Sequence, residues 1–179
     1  MRKLINIEIC ILIILIGTIF FIKNPLLNWL EGDFENIYFI YNTILTANSI
    51  TPEVVDYPGN SSFSLNSIYL KILSLIDHSI TLNLESILKD DQPVLNFNKI
   101  YFYLKIIQLF YFFIGIICLY KILIYLGLEK KIAFLVSLLF LFSDPLIDNI
   151  QRYRFDIESI VFYLISTLFL VYSKTFKNK

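Results

Sequence analysis

The run Ile106–Leu126 holds one amide, Gln108, and one charge, Lys121, among 21 residues. At 1.5 Å per residue such a helix is about 30 Å long, the thickness of a bilayer's hydrocarbon core. This segment constrains the fold most, because it must cross a membrane or be buried on every side. Three further apolar segments point to the first option: Leu4–Ile22, Ile132–Phe142 and Ile160–Tyr172. The chain is 57% apolar and only 17% charged, against about a quarter charged for soluble domains. The expectation is an all-α integral membrane protein, one domain over residues 1–179, with about four transmembrane helices.

The first two segments are long enough to span alone. The third reaches span length only by running on toward Ile150, across Ser143, Asp144 and Pro145. The fourth needs residues before Ile160, which puts Asp156 and Glu158 at its entrance. The expected spans are therefore 4–22, 106–126, 132–150 and 156–173. Helices that end early at polar residues often border a cavity rather than lipid.

Net charge is zero, so the total favours no nucleic-acid partner, and the distribution carries the information. Arg2 and Lys3 precede the first segment, Lys130 and Lys131 separate the second from the third, and Lys174, Lys177 and Lys179 follow the fourth. The positive-inside rule makes all three places cytoplasmic. Residues 23–105 carry nine acids against five lysines, and residues 144–158 carry four acids against two arginines. Both then face outward, with both termini inside and the protein in the inner (plasma) membrane. The first segment ends in GTIFFIKNP without a small-x-small cleavage site, so it reads as an uncleaved anchor. Glu8, a turn into it, can snorkel to the interface.

Residues 23–105 are too long for a simple connector. From Asp33 to Leu45 apolar residues recur at three and four: Phe34, Ile37, Tyr38, Ile40, Tyr41, Ile44 and Leu45. That spacing predicts an amphipathic helix with Asp33 near its N-terminus. Thr51-Pro52 and Tyr57-Pro58-Gly59 are turn signals. A second amphipathic helix is expected over Ser62–Ile76, carrying Phe63, Leu65, Ile68, Tyr69, Ile72, Leu73 and Ile76. Short helices of this kind can lie in the membrane interface. Residues 77–98 are more polar, and Asp90-Asp91 reads as a solvated turn before Pro93.

Most of the remaining polar residues have ordinary explanations. His78 is the only histidine and has no second metal ligand beside it. Cys10 and Cys118 sit in apolar segments as small fillers, without disulfide or metal spacing. No glycine-rich phosphate loop and no Ser/His/Asp set occurs. An acid such as Asp33 at a helix start is stabilised by the dipole, by about 0.3–1 kcal/mol, without any catalytic duty.

The first segment, an acid opening an amphipathic helix, and the run Asp56-Tyr57-Pro58-Gly59 opening a second helix together resemble the first outer loop of GT-C membrane glycosyltransferases. Protein O-mannosyltransferases and aminoarabinose transferases belong to that superfamily. Asp33, Tyr38 and residues 56–59 carry the resemblance, which extends to Arg154, Asp156 and Glu158 in QRYRFDIES. It covers most of this chain and the N-terminal part of a typical member, so a partial GT-C-like fold is expected. This sequence has acid, Phe34, acid where many members have adjacent Asp-Glu, so either Asp33 or Glu35 matches the catalytic acid.

The resemblance implies sugar transfer from a polyprenyl-phosphate donor, at the outer face, to a lipid, glycan or protein acceptor. Asp33, with Glu35 as second choice, would be the general base that takes the acceptor's proton. Arg152 or Arg154 would hold the donor phosphate, with Asp56, Tyr57 and Asp156 completing the substrate site. Headgroup contact, or pairing with Asp148 and Asp156, is the ordinary alternative for the arginines. No cofactor or metal is required. The competing reading is a non-catalytic multi-span membrane protein: a scaffold subunit, a decayed paralogue or a transporter fragment.

Overall fold

The computed structural model describes residues 7–23, 34–53, 60–151 and 156–177. Every regular element among them is helical. In chain order they are α1 (Ile7–Lys23), α2 (Phe34–Ala47), α3 (Asn60–Ile76), α4 (Leu84–Leu88), α5 (Pro93–Tyr125), α6 (Lys130–Leu141), α7 (Asp144–Gln151) and α8 (Asp156–Lys177). Two of them, α5 and α8, are long and apolar enough to cross a membrane. The elements fall into two compact units.

The first unit contains α1, α6, α7, α8 and α5 from Gln108 onward. Leu12, Ile16 and Phe20 of α1 recur every four residues and are buried with Phe112, Ile116 and Tyr120 of α5. The same spacing in α6 buries Ala133, Ser137 and Leu141. The third apolar segment, expected as one span over 132–150, is two helices parted at Phe142-Ser143. Pro145 explains the break, since it cannot donate to the Leu141 carbonyl and its ring would crowd that group. The proline is tolerated in the first turn of α7, where its missing N–H costs nothing. There the Ser143 carbonyl accepts from the N–H groups of Leu146 and Ile147 at 3.1 and 3.0 Å.

Helices α5 and α8 run in the same direction, in register. Tyr111 lies within electrostatic range of Glu158. A Cβ on Gly115 would sit 3.1 Å from Val161 Cγ2. The rings of Tyr125 and Tyr172 meet edge to face at 5.7 Å. The offset is 47, 46 and 47 residues at the three places, from the numbering alone, so the pairing holds over about 20 Å of helix. Gly115 eases this approach, because any side chain there would make Val161 give way by a few tenths of an ångström. At its far end α5 stops at Gly127, whose φ of 92° is left-handed. Leu128 N–H donates to Leu123 O and Gly127 N–H to Ile124 O, the glycine-terminated Schellman arrangement.

The second unit contains α2, α3, α4 and α5 as far as Ile107. The two helices expected over Asp33–Leu45 and Ser62–Ile76 are present as α2 and α3, within two residues at every boundary. Phe39, Ile40 and Ile44 of α2 are buried with Phe63 and Leu70 of α3 and with Ile100, Tyr101 and Leu104 of α5. One boundary departs from the sequence expectation. α5 begins at Pro93, thirteen residues before Ile106. Pro93 suits the first helical position, and Phe97, Ile100, Tyr101 and Leu104 give the added turns an apolar stripe inside this unit.

Candidate functional site

The residues that carry the glycosyltransferase resemblance divide into two groups. Asp33, Asp56, Tyr57, Arg152 and Arg154 lie outside the described residues. Glu35 is in the first turn of α2 by its backbone, and its side chain is outside them too. Tyr38 is partly buried on α2, and its carbonyl accepts from Asn42 Nδ2 at 2.8 Å. Asp156 opens α8 and is half-buried, with Glu158 in the same turn.

Around α2 a set of amides fixes the chain. Asn42 is fully buried, and its Oδ1 accepts from the Glu53 N–H at 2.7 Å. The Tyr41 hydroxyl donates to Glu53 Oε1 at 3.2 Å. Loss of hydration and the nearby Glu53 carboxylate raise the Tyr41 phenol above its ordinary range, so it stays a neutral donor at physiological pH. Ser49 ends α2 with a φ of 61°, a left-handed turn in which Ile50 N–H donates to Leu45 O at 2.9 Å. Asn48 Nδ2 donates both to Ile44 O and to Leu82 O, at 2.8 and 2.7 Å. These bonds pin the 48–53 segment against α2 and the 80–83 segment beside it.

Two further ties fasten α3 and the following loop to α5. Asn96, buried on α5, accepts from Thr81 N–H at 2.9 Å and donates to Thr81 O at 2.7 Å. The Tyr103 hydroxyl donates to Asp77 Oδ2 at 2.8 Å. Asp77 also accepts from the hydroxyl and N–H of Ser79. The bonds from Ser79, then that from Tyr103, hold its carboxyl below the usual range. A buried amide that satisfies a backbone N–H and C=O together leaves that segment one conformation. The unit is therefore a rigid mount for the helix whose first turn carries Glu35.

In the first unit two polar side chains of α5 and α8 are buried, and one of them lies near a tyrosine of the other helix. Glu158 is 2% exposed and Gln108 is 1% exposed, and Tyr111 is half-buried within electrostatic range of Glu158. Ile157 and Val161 on α8 and Phe112 on α5 are buried in the apolar core of the same unit. A carboxylate in the first turn of a helix is stabilised by the dipole there. Ionisable groups buried among apolar helices are costly, and they mark functional sites more often than structural ones. A carboxylate and a phenol together suit hydrogen bonding to a hydroxyl-bearing group or transfer of its proton. The second unit has its own buried ionisable group, Lys105, which is fully enclosed. Gln108 and Lys105 had a sequence signal: each interrupts or borders the most apolar run of the chain. Glu158 had none beyond the resemblance, because its burial depends on α8 lying in register with α5.

Comparison with known proteins adds no family: no family model, no curated protein and no solved structure matches this chain.

Proposed function

We propose that this chain is a membrane glycosyltransferase of the GT-C kind, acting at the outer face of the cytoplasmic membrane. It moves a sugar from a polyprenyl phosphate to a hydroxyl of a lipid, glycan or protein acceptor. The observation that carries the reading is the folded unit between α1 and the apolar part of α5. There α2 follows directly on Asp33, α3 follows directly on the 56–59 turn sequence, and the two helices pack on each other. A mere connector would not need this mount. In the reaction the acceptor oxygen forms a bond to the sugar's anomeric carbon as the bond to the carrier phosphate breaks. Asp33 takes the acceptor's proton, with Glu35 as the alternative base. Arg152 and Arg154 receive the departing phosphate monoester, while Asp56, Tyr57 and Asp156 line the substrate.

Four crossings accompany this reading. Because α5 and α8 are parallel, the chain between them must return across the same thickness. Helices α6 and α7, of 12 and 8 residues, together supply about 30 Å. Labelling of single cysteines in intact cells checks the topology, in a background with Cys10 and Cys118 replaced by alanine. Asn60→Cys is expected to react with an impermeant maleimide and Asn178→Cys only after lysis. Reaction of Asn178→Cys in intact cells would remove the four-crossing arrangement.

The activity is tested in native membranes supplied with a labelled polyprenyl-phosphate sugar. Label is expected to leave the carrier and join an acceptor only where the chain is present. Correctly oriented protein with no chain-dependent transfer would assign the molecule to the non-catalytic class, a scaffold or transporter component.

A further inference from the structure

Helix α8 carries a line of hydroxyls on the side turned away from its own core. Ser159, Tyr163, Ser166, Leu170 and Ser173 are all exposed, Tyr163 at 72% and Leu170 at 64%. At 100° per residue the five fall within an arc of about 80°. Ile157 and Val161, both buried, stand opposite the centre of that arc. Ser166 is at the middle of the helix, ten residues from Asp156 and eleven from Lys177. In a crossing helix of 22 residues, about 33 Å long, that puts a hydroxyl at a depth where lipid offers it nothing to bond. Polar side chains of crossing helices face protein rather than lipid.

The spacing of this face points to the helix that covers it. Its residues follow one another at intervals of four, three, four and three, and the serines repeat every seven. That is the a/d seam of a coiled coil, with serine in the narrow layers and Tyr163 and Leu170 in the wide ones. The line drifts by about 20° per seven residues, which a left-handed crossing of two helices takes up. In a parallel pair each layer meets its own counterpart, and two copies inserted alike in one membrane have parallel α8 helices. The face carries no charge, so it calls for no partner of opposite sign, and a hydroxyl both donates and accepts. Ser166 and Ser173 donate within their own helix, to the carbonyls of Phe162 and Leu170 at 2.9 Å, and each keeps an oxygen that can accept. Among the described residues the Ser159 hydroxyl and the Tyr163 phenol have no hydrogen-bond partner.

We propose that α8 pairs in parallel with α8 of a second copy along this seam, making a dimer within the membrane. A long side chain on a helix slants toward the N-terminus, so each Tyr163 phenol donates to the Ser159 oxygen of the other copy, one turn back. An unrelated helix is the poorer occupant, because it would need the same seven-residue repeat running in the same direction. The inference rests on α8 crossing the membrane and is independent of sugar transfer.

Cross-linking tests it, in native membranes and in the full chain with Cys10 and Cys118 replaced by alanine. Under copper-phenanthroline oxidation, Ser159→Cys, Ser166→Cys and Ser173→Cys are expected to form disulfide-linked dimers. Ile160→Cys, a quarter-turn round α8, and Leu139→Cys on α6, both exposed in the parent chain, should form few. Energy transfer between copies labelled at Asn178→Cys, in phosphatidylcholine vesicles of rising lipid content, gives the dissociation constant. Tyr163→Phe removes both phenol bonds and is expected to raise that constant about tenfold. Equal cross-linking at Ile160→Cys and Leu139→Cys would mark random collision and overturn the pairing, as would a constant that Tyr163→Phe leaves unchanged. Cross-links from the three serine positions to a different protein would give the face to another helix and overturn it too. Release of the parent chain from membranes by alkaline carbonate would remove the membrane reading and this inference with it.

Discussion

Asp33→Asn is expected to lower sugar transfer by about 10²–10⁴-fold, the usual contribution of a positioned general base. The amide keeps an oxygen that can accept from the N–H groups at a helix start, so a residue serving only as a cap would be nearly unaffected. Losing a cap altogether costs about 0.5–2 kcal/mol of stability and leaves chemistry intact. The substitution thus separates two roles that burial cannot separate. Transfer is measured in native membranes with a polyprenyl-phosphate sugar, beside donor binding and thermal unfolding of the variant in detergent. The expected outcome is normal unfolding, normal donor binding and almost no product. Glu35→Gln is the companion: if it loses activity and Asp33→Asn does not, the base is Glu35, inside the first turn of α2. Near-normal transfer by both would reduce the two acids to loop structure.

The second large effect lies in the packing of α5 on α8. Gly115→Leu is expected to destabilise the first unit by about 1–3 kcal/mol, as overpacking of a tight contact does. Even the first added carbon would stand 3.1 Å from Val161 Cγ2, and Leu164 Cδ1 is 3.9 Å away. Gly115→Ala should cost much less, since a shift of a few tenths of an ångström accommodates one methyl. Val161→Ala in the Gly115→Leu background removes the crowding and should recover part of the loss. Thermal unfolding of the purified chain in detergent gives all three values. Additive effects for the pair would show that α5 and α8 do not meet at this point.

Much of the helical layout was legible in the sequence, for identifiable reasons. Apolar spacing at three and four placed α2 and α3, and the turn signals around Pro52 and Pro58 separated them. The start of α5 was not legible, because Asn96, Asn98 and Lys99 make its first turns look like loop. Their helicity comes from tertiary contacts, with Asn96 holding Thr81 and Ile100 and Leu104 filling the core of the second unit. The break between α6 and α7 was half-legible, since Ser143, Asp144 and Pro145 marked where a single span would falter. Sequence spacing also merged the two faces of α3. Phe63 and Leu65 are both apolar and nearly adjacent, yet one is buried and the other exposed, and only the packing of α2 on one side tells them apart.

The candidate site was less legible. Of the residues chosen from the resemblance as catalytic or substrate-binding, Asp156 and the backbone of Glu35 are the ones with a described position. Glu158, 47 residues further along the chain, comes within electrostatic range of Tyr111 only through the parallel register of α5 and α8. No local pattern encodes a register between two distant helices. It follows from the shapes that pack along both helices, at Gly115 and Val161 and again at Tyr125 and Tyr172.

That close contact also carries a clock. Gly115 and Val161 are 46 residues apart in the numbering, so their meeting waits for translation. At about 5–20 residues per second, roughly 2–9 s pass between the synthesis of the two positions. For that interval α5 has no α8 partner at Gly115. Gly115 therefore belongs to the late, assembly-limited stage of biogenesis. With α5 in the membrane as proposed, Gly115 variants should reach the membrane as readily as the parent chain and then be cleared from it by quality-control proteases.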